Sequence, residues 1–247
     1  YVKFFGDRNV FSQADHAEIL KKYNEEERKK LFTLKPLYQR AIIVAAGPIA
    51  NFILAAFIFL CIYMFSGKDF TPAVINEVQV ESPAEQAGLK KNDIILEIDG
   101  TAVNSILDVS KLITMSTSES IDFKISRYDQ DLLLKIKPNI ILAEDNLGNK
   151  INKRVVGIML GAQNNQVNHV KLGPIKALYY SVYEVYFVTS STLKYLSSMI
   201  FGNADTSQLG GPIRIAKISG QVAQFGIIPF LSMMAYISIS LGLINLF

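Results

Sequence analysis

Two stretches of this chain carry no charged residue, and between them the hydrophobic pattern changes period. Ala41 to Phe65, AIIVAAGPIANFILAAFIFLCIYMF, runs for 25 residues without a charge. A helix that crosses a bilayer needs about 20 mostly apolar residues. Buried helices of soluble proteins are rarely so long and so uniformly apolar, so the pattern predicts a transmembrane helix over 37–66. Gly47-Pro48 lies inside it, and a proline there removes a backbone donor and crowds the preceding turn, which predicts a local bend. Asn51 is the polar residue of the run. An amide is costly in hydrocarbon and is expected to face protein or a cavity. After Lys217 the charges stop again. Gly226 and Pro229 break this second run, so a short helix or loop is expected over 209–226 and a second transmembrane helix over 228–247. Ser232, Ser238, Ser240 and Asn245 make it more polar than a lipid-facing helix, and small hydroxyl residues favour close helix packing.

A third apolar stretch, 172–202, differs in kind. It carries Lys176, Glu184 and Lys194 among Tyr179, Tyr180, Tyr183, Tyr186, Phe187 and Tyr195. Charges spaced through a tyrosine-rich helix predict an amphipathic helix on the membrane surface. A buried helix of a soluble fold is the alternative.

The middle of the chain, 70–161, reads as a folded domain. Ala73–Val80 suits a strand, and Ser82 to Gly88 a short helix closed by glycine. Asp93–Ile98 alternates and ends in the turn pair Asp99-Gly100. Leu107–Met115 is amphipathic. Ile121–Tyr128 and Leu132–Lys137 alternate as two strands joined across Asp129-Gln130. Asn139–Arg154 is long and polar and is expected to be a loop, followed by a last apolar strand, Val155–Leu160.

Composition narrows the options. Half the residues are hydrophobic and only 19% are charged, which excludes a disordered chain. A net charge of +3 gives no argument for nucleic acid. The single cysteine, Cys61, excludes a disulfide framework and a cysteine-built zinc site within the chain. Residues 1–40 hold nine Lys/Arg and six Asp/Glu, whereas 66–170 hold eleven against fourteen. By the positive-inside bias the first group is cytoplasmic and the central domain lies outside. Residues 11–35 read as a charged cytoplasmic helix, with Ser12 and Asp15 as a capping box. The chain opens on Tyr1 and ends on Phe247 inside an apolar run, and is read as a segment cut from a longer protein.

Two resemblances follow from particular residues. Ser82-Pro83-Ala84-Glu85-Gln86-Ala87-Gly88-Leu89, then Asp93, Ile95, Ile98 and Gly100, resemble the S-P-A-x-x-A-G-L-x-x-x-D-x-I-x-x-I-x-G pattern of PDZ domains. Asn92 stands where that family more often has glycine, and asparagine tolerates the same left-handed turn. PDZ domains add an extended peptide to a sheet edge. The candidate groove is Val156, Gly157, Ile158 and Met159. These follow the body of the domain, which implies a circularly permuted PDZ-like domain. The alternative is a core strand with a glycine bulge.

The second resemblance covers nearly the whole chain. Lys35-Pro36 to Arg40, then Ala46-Gly47-Pro48-Ile49-Ala50-Asn51, resemble the K-P-x-x-x-R and A-G-P-x-x-N segments of the site-2 protease family of intramembrane zinc metalloproteases. Tyr1 to Asp7 resembles the end of that family's membrane-dipping β-loop, placed over 1–10. Leu209-Gly210-Gly211-Pro212-Ile213 and Ser240 to Phe247 resemble its later stretches. The implied fold class is a multi-pass α-helical membrane protein with an inserted α+β PDZ-like domain.

The resemblance implies a bacterial inner-membrane enzyme that cleaves transmembrane proteins such as anti-sigma factors, with the PDZ-like domain in the periplasm. Its zinc ligands are the histidines of H-E-x-x-H and the aspartate of L-D-G. Neither motif occurs here, and His16 and His169 lie 153 positions apart in polar contexts. Zinc is therefore expected in the intact parent and not in this segment, which should be inactive alone. The segment's implied role is substrate binding. Asn51, Asn245, Gly47 and Pro48 would hold the unwound backbone of a transmembrane substrate, and Val2, Lys3 and Phe4 would pair with it as a strand. Helix-to-helix pairing is the alternative for the two asparagines. The PDZ-like groove would take a peptide or a C-terminus, acting as a docking site or a size filter. The expected partners are the substrate, that peptide and the lipid bilayer, with no nucleic acid. A membrane-tethered PDZ adaptor or a non-catalytic relative that regulates is the competing function.

Overall fold

The structure, a computed structural model, describes residues 24, 31–144, 150–162, 167–201 and 212–246. Most of the charged segment, His16, the strand candidates Val2, Lys3 and Phe4, and Leu209–Gly211 lie outside the described residues.

One 3-10 turn, Phe32–Leu34, leads into helix α1, Leu37–Phe65. Pro36 stands just outside the first turn, and the helix runs on through Pro48. Ala55, Phe59, Ile62 and Tyr63 form its buried face, while Ile42, Ile49, Ile53, Leu54 and Phe57 are exposed. An exposed face this apolar suits lipid rather than water.

The central domain hangs from a clasp. Strand β1 (Lys68–Asp69) pairs antiparallel with β10 (His169–Val170), joining the chain's exit from α1 to its return. Gly67 at φ +95 makes the corner, and a Cβ there would lie 2.9 Å from the Val170 carbonyl oxygen. Within the clasp lie β2 (Ala73–Val78), α2 (Pro83–Gln86), β3 (Ile94–Ile98), β4 (Thr101–Ala102), α3 (Ile106–Met115), β5 (Ile121–Arg127), β6 (Gln130–Ile136), β7 (Asn139–Glu144), β8 (Lys150–Val155) and β9 (Ile158–Gly161). The main sheet is antiparallel, in the order β6-β5-β3-β2-β9, with β4 folded back on β3. Its inward residues, Ile75, Ile95, Ile98, Ile121, Phe123, Ile125 and Ile136, are fully buried beneath Ala84 and Val109 of the two helices.

Local chemistry explains the elements. Ser82 caps α2 by accepting from the Glu85 N–H at 3.2 Å, with Pro83 at the first helical position. Asn92 sits at φ +70, the left-handed conformation its pattern required. Ser105 and Asp108 form a reciprocal capping box on α3. The β5–β6 turn is Tyr128-Asp129, at φ +52 and +60, one residue earlier than the alternation suggested. Two left-handed residues make a hairpin turn whose twist matches the strands, here without glycine.

The long polar connection after Ile136 is not a plain loop. Asn139–Glu144 and Lys150–Val155 pair as a separate hairpin, with Ile140, Ile141 and Leu142 exposed on it. Its apolar residues are adjacent rather than alternating, so they gave no strand period to read.

Three more helices follow: α4 (Pro174–Ile200), α5 (Pro212–Gln224) and α6 (Ile227–Ile244). Gly226 at φ +109 separates the last two, and Pro229 falls in the first turn of α6, where its missing N–H costs nothing. Helices α1, α4 and α6 share one core, in which Phe59, Ile62, Ala177, Val188, Ala235 and Ile239 are buried. Two of the described helices, α1 and α6, are long and apolar enough to cross a membrane.

Candidate functional site

Helices α1 and α6 run antiparallel and meet at Asn51. The Ser238 hydroxyl of α6 donates to the main-chain carbonyl oxygen of Asn51 at 2.8 Å. One turn on, Gly242 lies so close that a Cβ would come within 3.3 Å of the Asn51 Cβ and 3.1 Å of the Phe52 ring. Asn245 ends α6, one further turn along and exposed. Asn51 itself is half-buried. On α1, Gly47 and Asn51 are one turn apart and share a face, with Pro48 buried beside them. A Cβ on Gly47 would meet nothing within 4 Å, so packing among the described residues does not demand a glycine there. The structure therefore seats Gly242 of α6 against Asn51 at the middle of α1, with Asn245 one turn beyond Gly242 on α6 and Gly47 one turn before Asn51 on α1.

The groove candidates lie in the domain. Gly157, at φ +82, lets the chain turn between β8 and β9, and a Cβ there would fall 2.3 Å from the Ser82 Cβ. Its carbonyl accepts from the Gln79 N–H at 2.9 Å, and the Val156 carbonyl accepts from the Ala84 N–H at 2.9 Å. Val156 is buried, while Ile158 and Met159 open β9, which borders β2 on one side and is the end of the sheet. A cavity of about 380 Å³ runs between β9 and α3, lined by Val109, Ile113, Ile141, Val156, Ile158 and Leu160 with Lys153 and Arg154 at its side. Strand edge, apolar floor and facing helix are what an added peptide strand needs.

Two polar partnerships were not legible in the chain pattern. Asp93 is buried and takes a bidentate contact from Arg127, both bonds 2.7 Å, while Arg127 also donates to the Gly88 carbonyl at 2.7 Å. Asp93 therefore anchors the turn that follows α2. The second feature joins domain to helices. Glu184 of α4 is buried and accepts from Lys111 of α3 at 2.7 Å and from the Tyr236 hydroxyl of α6 at 2.9 Å. Lys111 also donates to the Tyr236 oxygen at 3.2 Å, and Lys68 lies 3.9 Å from the other Glu184 oxygen. Burial works against a charge on Lys111, but Tyr236 and Glu184 outweigh it and hold its ammonium above the ordinary 10.5. Burial likewise opposes the Glu184 charge, and Lys111 with Lys68 outweighs it, keeping the carboxyl below 4.5. One signal for Glu184 was available: it shares a helical stripe with Ala177, Ser181 and Val188, small or apolar residues that are all buried.

Among the described residues no group of three His, Cys, Asp or Glu side chains is placed to hold a metal ion. His169 lies in the β1–β10 clasp, opposite Asp69. The described donor set does not fit the zinc that the sequence resemblance implies for the intact parent.

The family model and the curated relatives agree on one family. The model of peptidase family M50 matches residues 1–247. A candidate zinc metalloprotease of Agrobacterium fabrum is 35% identical over 246 residues, covering 100% of this chain and 65% of that protein. A second, from Rhizobium meliloti, is 36% identical and is covered over 66% of its length. The chain thus spans just under two thirds of these relatives. Metalloprotease MmpA of Caulobacter vibrioides is 28% identical over 229 residues, 90% of this chain and 57% of that one. Among solved structures, the PDZ domain of an SdrC-like protein from Listeria monocytogenes aligns with 37% of this chain and 88% of its own, at 24% identity and a TM-score of 0.30. With the pattern of Ser82 to Gly100 and the antiparallel sheet capped by α2 and α3, the central domain is PDZ-like, and the chain as a whole belongs to peptidase family M50, the site-2 protease family of zinc metalloproteases.

Proposed function

We propose that this chain is the substrate-handling portion of an intramembrane zinc metalloprotease of the bacterial inner membrane. Its spanning helices hold a transmembrane substrate unwound, and its PDZ-like domain, on the periplasmic side, receives that substrate or a peptide tail of it. The observation that supports this reading is the close approach of Gly242 to Asn51, which sets Asn245 one turn further along α6, beside a Gly47 that borders open space. A substrate helix satisfies its own backbone, so a protease must replace those hydrogen bonds as it unwinds the helix. Side-chain amides offer both a donor and an acceptor for that purpose. In this role Asn51 and Asn245 bind the freed peptide groups, and Val2, Lys3 and Phe4 pair with the extended segment as a strand.

The metal and the chemistry on it belong to ligands outside the described residues. Asn51→Ala in the full-length parent tests the reading. Cleavage of a transmembrane substrate should fall at least tenfold, one lost charge-free hydrogen bond being about 1 kcal/mol and its unmet partner costing more, while zinc content measured by atomic absorption stays at wild-type level. Zinc lost together with activity would assign Asn51 to metal-site architecture instead. A second reading, a tethered adaptor, draws on the groove between β9 and α3 alone. It predicts peptide binding with no cleavage and no bound zinc in the full-length parent.

A further inference from the structure

The PDZ-like domain does not rest on the helices through a dry interface. Between them lies an open cleft of about 520 Å³, lined by Thr101, Ser116, Ser118, Tyr183 and Ser190 among others. Domains joined through such wet, polar contacts move relative to each other by default. Among the described residues, the contacts that oppose that motion include the β1–β10 clasp, the edge-on packing of Phe70 on Tyr180, a hydrogen bond from the Ser198 hydroxyl of α4 to the Thr117 hydroxyl at 3.0 Å, and the triangle that Lys111 and Tyr236 make with the buried Glu184.

The triangle takes one corner from each of three elements. Lys111 comes from α3, Glu184 from α4 and Tyr236 from α6. Helix α3 therefore has two working faces. Val109 and Ile113, one turn apart, line the peptide groove, and Asp108, Lys111 and Leu112 face α4. The helix that walls the groove is thus the helix held by Glu184. Tyr236 lies on the same helix as Asn245. A buried ion pair adds little net stability compared with apolar residues of the same size, but it is directional and tolerates one geometry.

We propose that Glu184 is a positioning residue: it locks the PDZ-like domain to the helix bundle in one orientation, so that the groove wall α3 and the substrate-binding helix α6 form a single frame. The proposal rests on the substrate-handling reading above for its purpose, and on geometry alone for the lock. A substrate whose tail lies in the groove is then delivered to Asn51 and Asn245 along a fixed path.

The test uses the full-length protein in membrane vesicles, with Cys61→Ala and other cysteines removed. Thr117→Cys with Ser198→Cys reports docking, because the two hydroxyls already touch and a disulfide needs close, convergent Cβ atoms. Lys111→Met and Glu184→Gln should each slow formation of this disulfide about tenfold or more: the first leaves the buried Glu184 carboxylate only the Tyr236 hydroxyl and the longer contact to Lys68, and the second removes the charge that draws Lys111 to α4. The double variant Lys111→Met/Glu184→Met, with no charge left at either position and Lys68 still held over the Tyr63 and Tyr180 rings, should recover most of the wild-type rate. That recovery also shows that the single variants failed by undocking and not by unfolding. In cleavage assays, the single variants should raise KM about tenfold for a substrate whose tail fills the groove, and leave kcat and KM for a bare transmembrane substrate unchanged. Single variants that cross-link at the wild-type rate overturn the lock. Loss of the cross-link with KM unchanged overturns the positioning role. The cross-link is read without any protease activity, so a parent that cleaves nothing refutes the function reading while the lock is decided separately.

Discussion

The PDZ-like domain and the helix bundle solve burial in opposite ways. In the domain, side chains alternate between a dry interior and water: Ile121, Phe123 and Ile125 on β5 are fully buried while Asp122, Lys124 and Ser126 turn outward. Its core closes on itself. In the bundle, α1 buries one narrow face on α4 and α6 and leaves Ile53, Leu54 and Phe57 exposed. Apolar burial stabilises the first against water, whereas lipid is as apolar as those side chains and offers no such drive. The bundle relies instead on close approach, as at Gly242 against Phe52, and on single polar contacts, as from Ser238 to the Asn51 carbonyl. Large apolar side chains should thus be critical in one region and dispensable on the outer face of the other.

Substitution at matched side chains puts that contrast under test. Phe123→Ala in the domain core should cost about 3–5 kcal/mol and lower the denaturation midpoint of the domain accordingly, whereas Phe57→Ala, half or more exposed on α1, should change stability in detergent by no more than about 0.5 kcal/mol. Equal effects would mean that Phe57 packs against protein and not lipid. Arg127→Met comes next. It strands the buried Asp93 carboxylate, and breaking such a pair typically costs about 3 kcal/mol; adding Asp93→Asn should recover part of the loss in the same urea titration. In the bundle, Ser238→Ala removes a hydrogen bond that double-mutant cycles in membranes value at about 0.6 kcal/mol on average, so thermal unfolding in detergent should shift only slightly.

The smallest effect expected is that of pH on the contact between the two regions. The Glu184 carboxyl is held below 4.5, so its stabilisation is complete above that value and fades only as pH falls through the lowered value. The Lys111 ammonium is held above 10.5, so its share is complete below that value and fades only as pH rises through the raised one. Energy transfer between fluorophores on the domain and on α4 should therefore stay flat from about pH 5 to pH 9. A step near neutrality would show that a different group governs docking.

Much of this architecture could be read from the chain, and the unread parts share a physical character. The two uncharged runs became α1 and α6 because length and apolarity are properties of a segment alone. Ser82 to Gly100 folded as its pattern required, with Asn92 left-handed, because caps and turns are set by neighbours in sequence. The Asn139–Glu144 and Lys150–Val155 hairpin went unread because its apolar residues cluster without a period. The partnership of Asp93 with Arg127 spans 34 positions, and that of Lys111 with Tyr236 spans 125. No local pattern encodes a pairing over such distances.

Sequence alone determined the two long apolar runs, the turn chemistry of the domain and the motifs by which the chain resembles its family. Those follow from residues that act on their near neighbours or from side chains that meet solvent or lipid in bulk. Only the tertiary structure decided that Gly242 packs against Asn51, that β9 is one end of the described sheet, and that a single buried carboxylate joins α3, α4 and α6. Each of these depends on which distant surfaces come into contact, and a charge such as Glu184 is tolerated in the interior only once Lys111, Lys68 and Tyr236 have arrived to meet it.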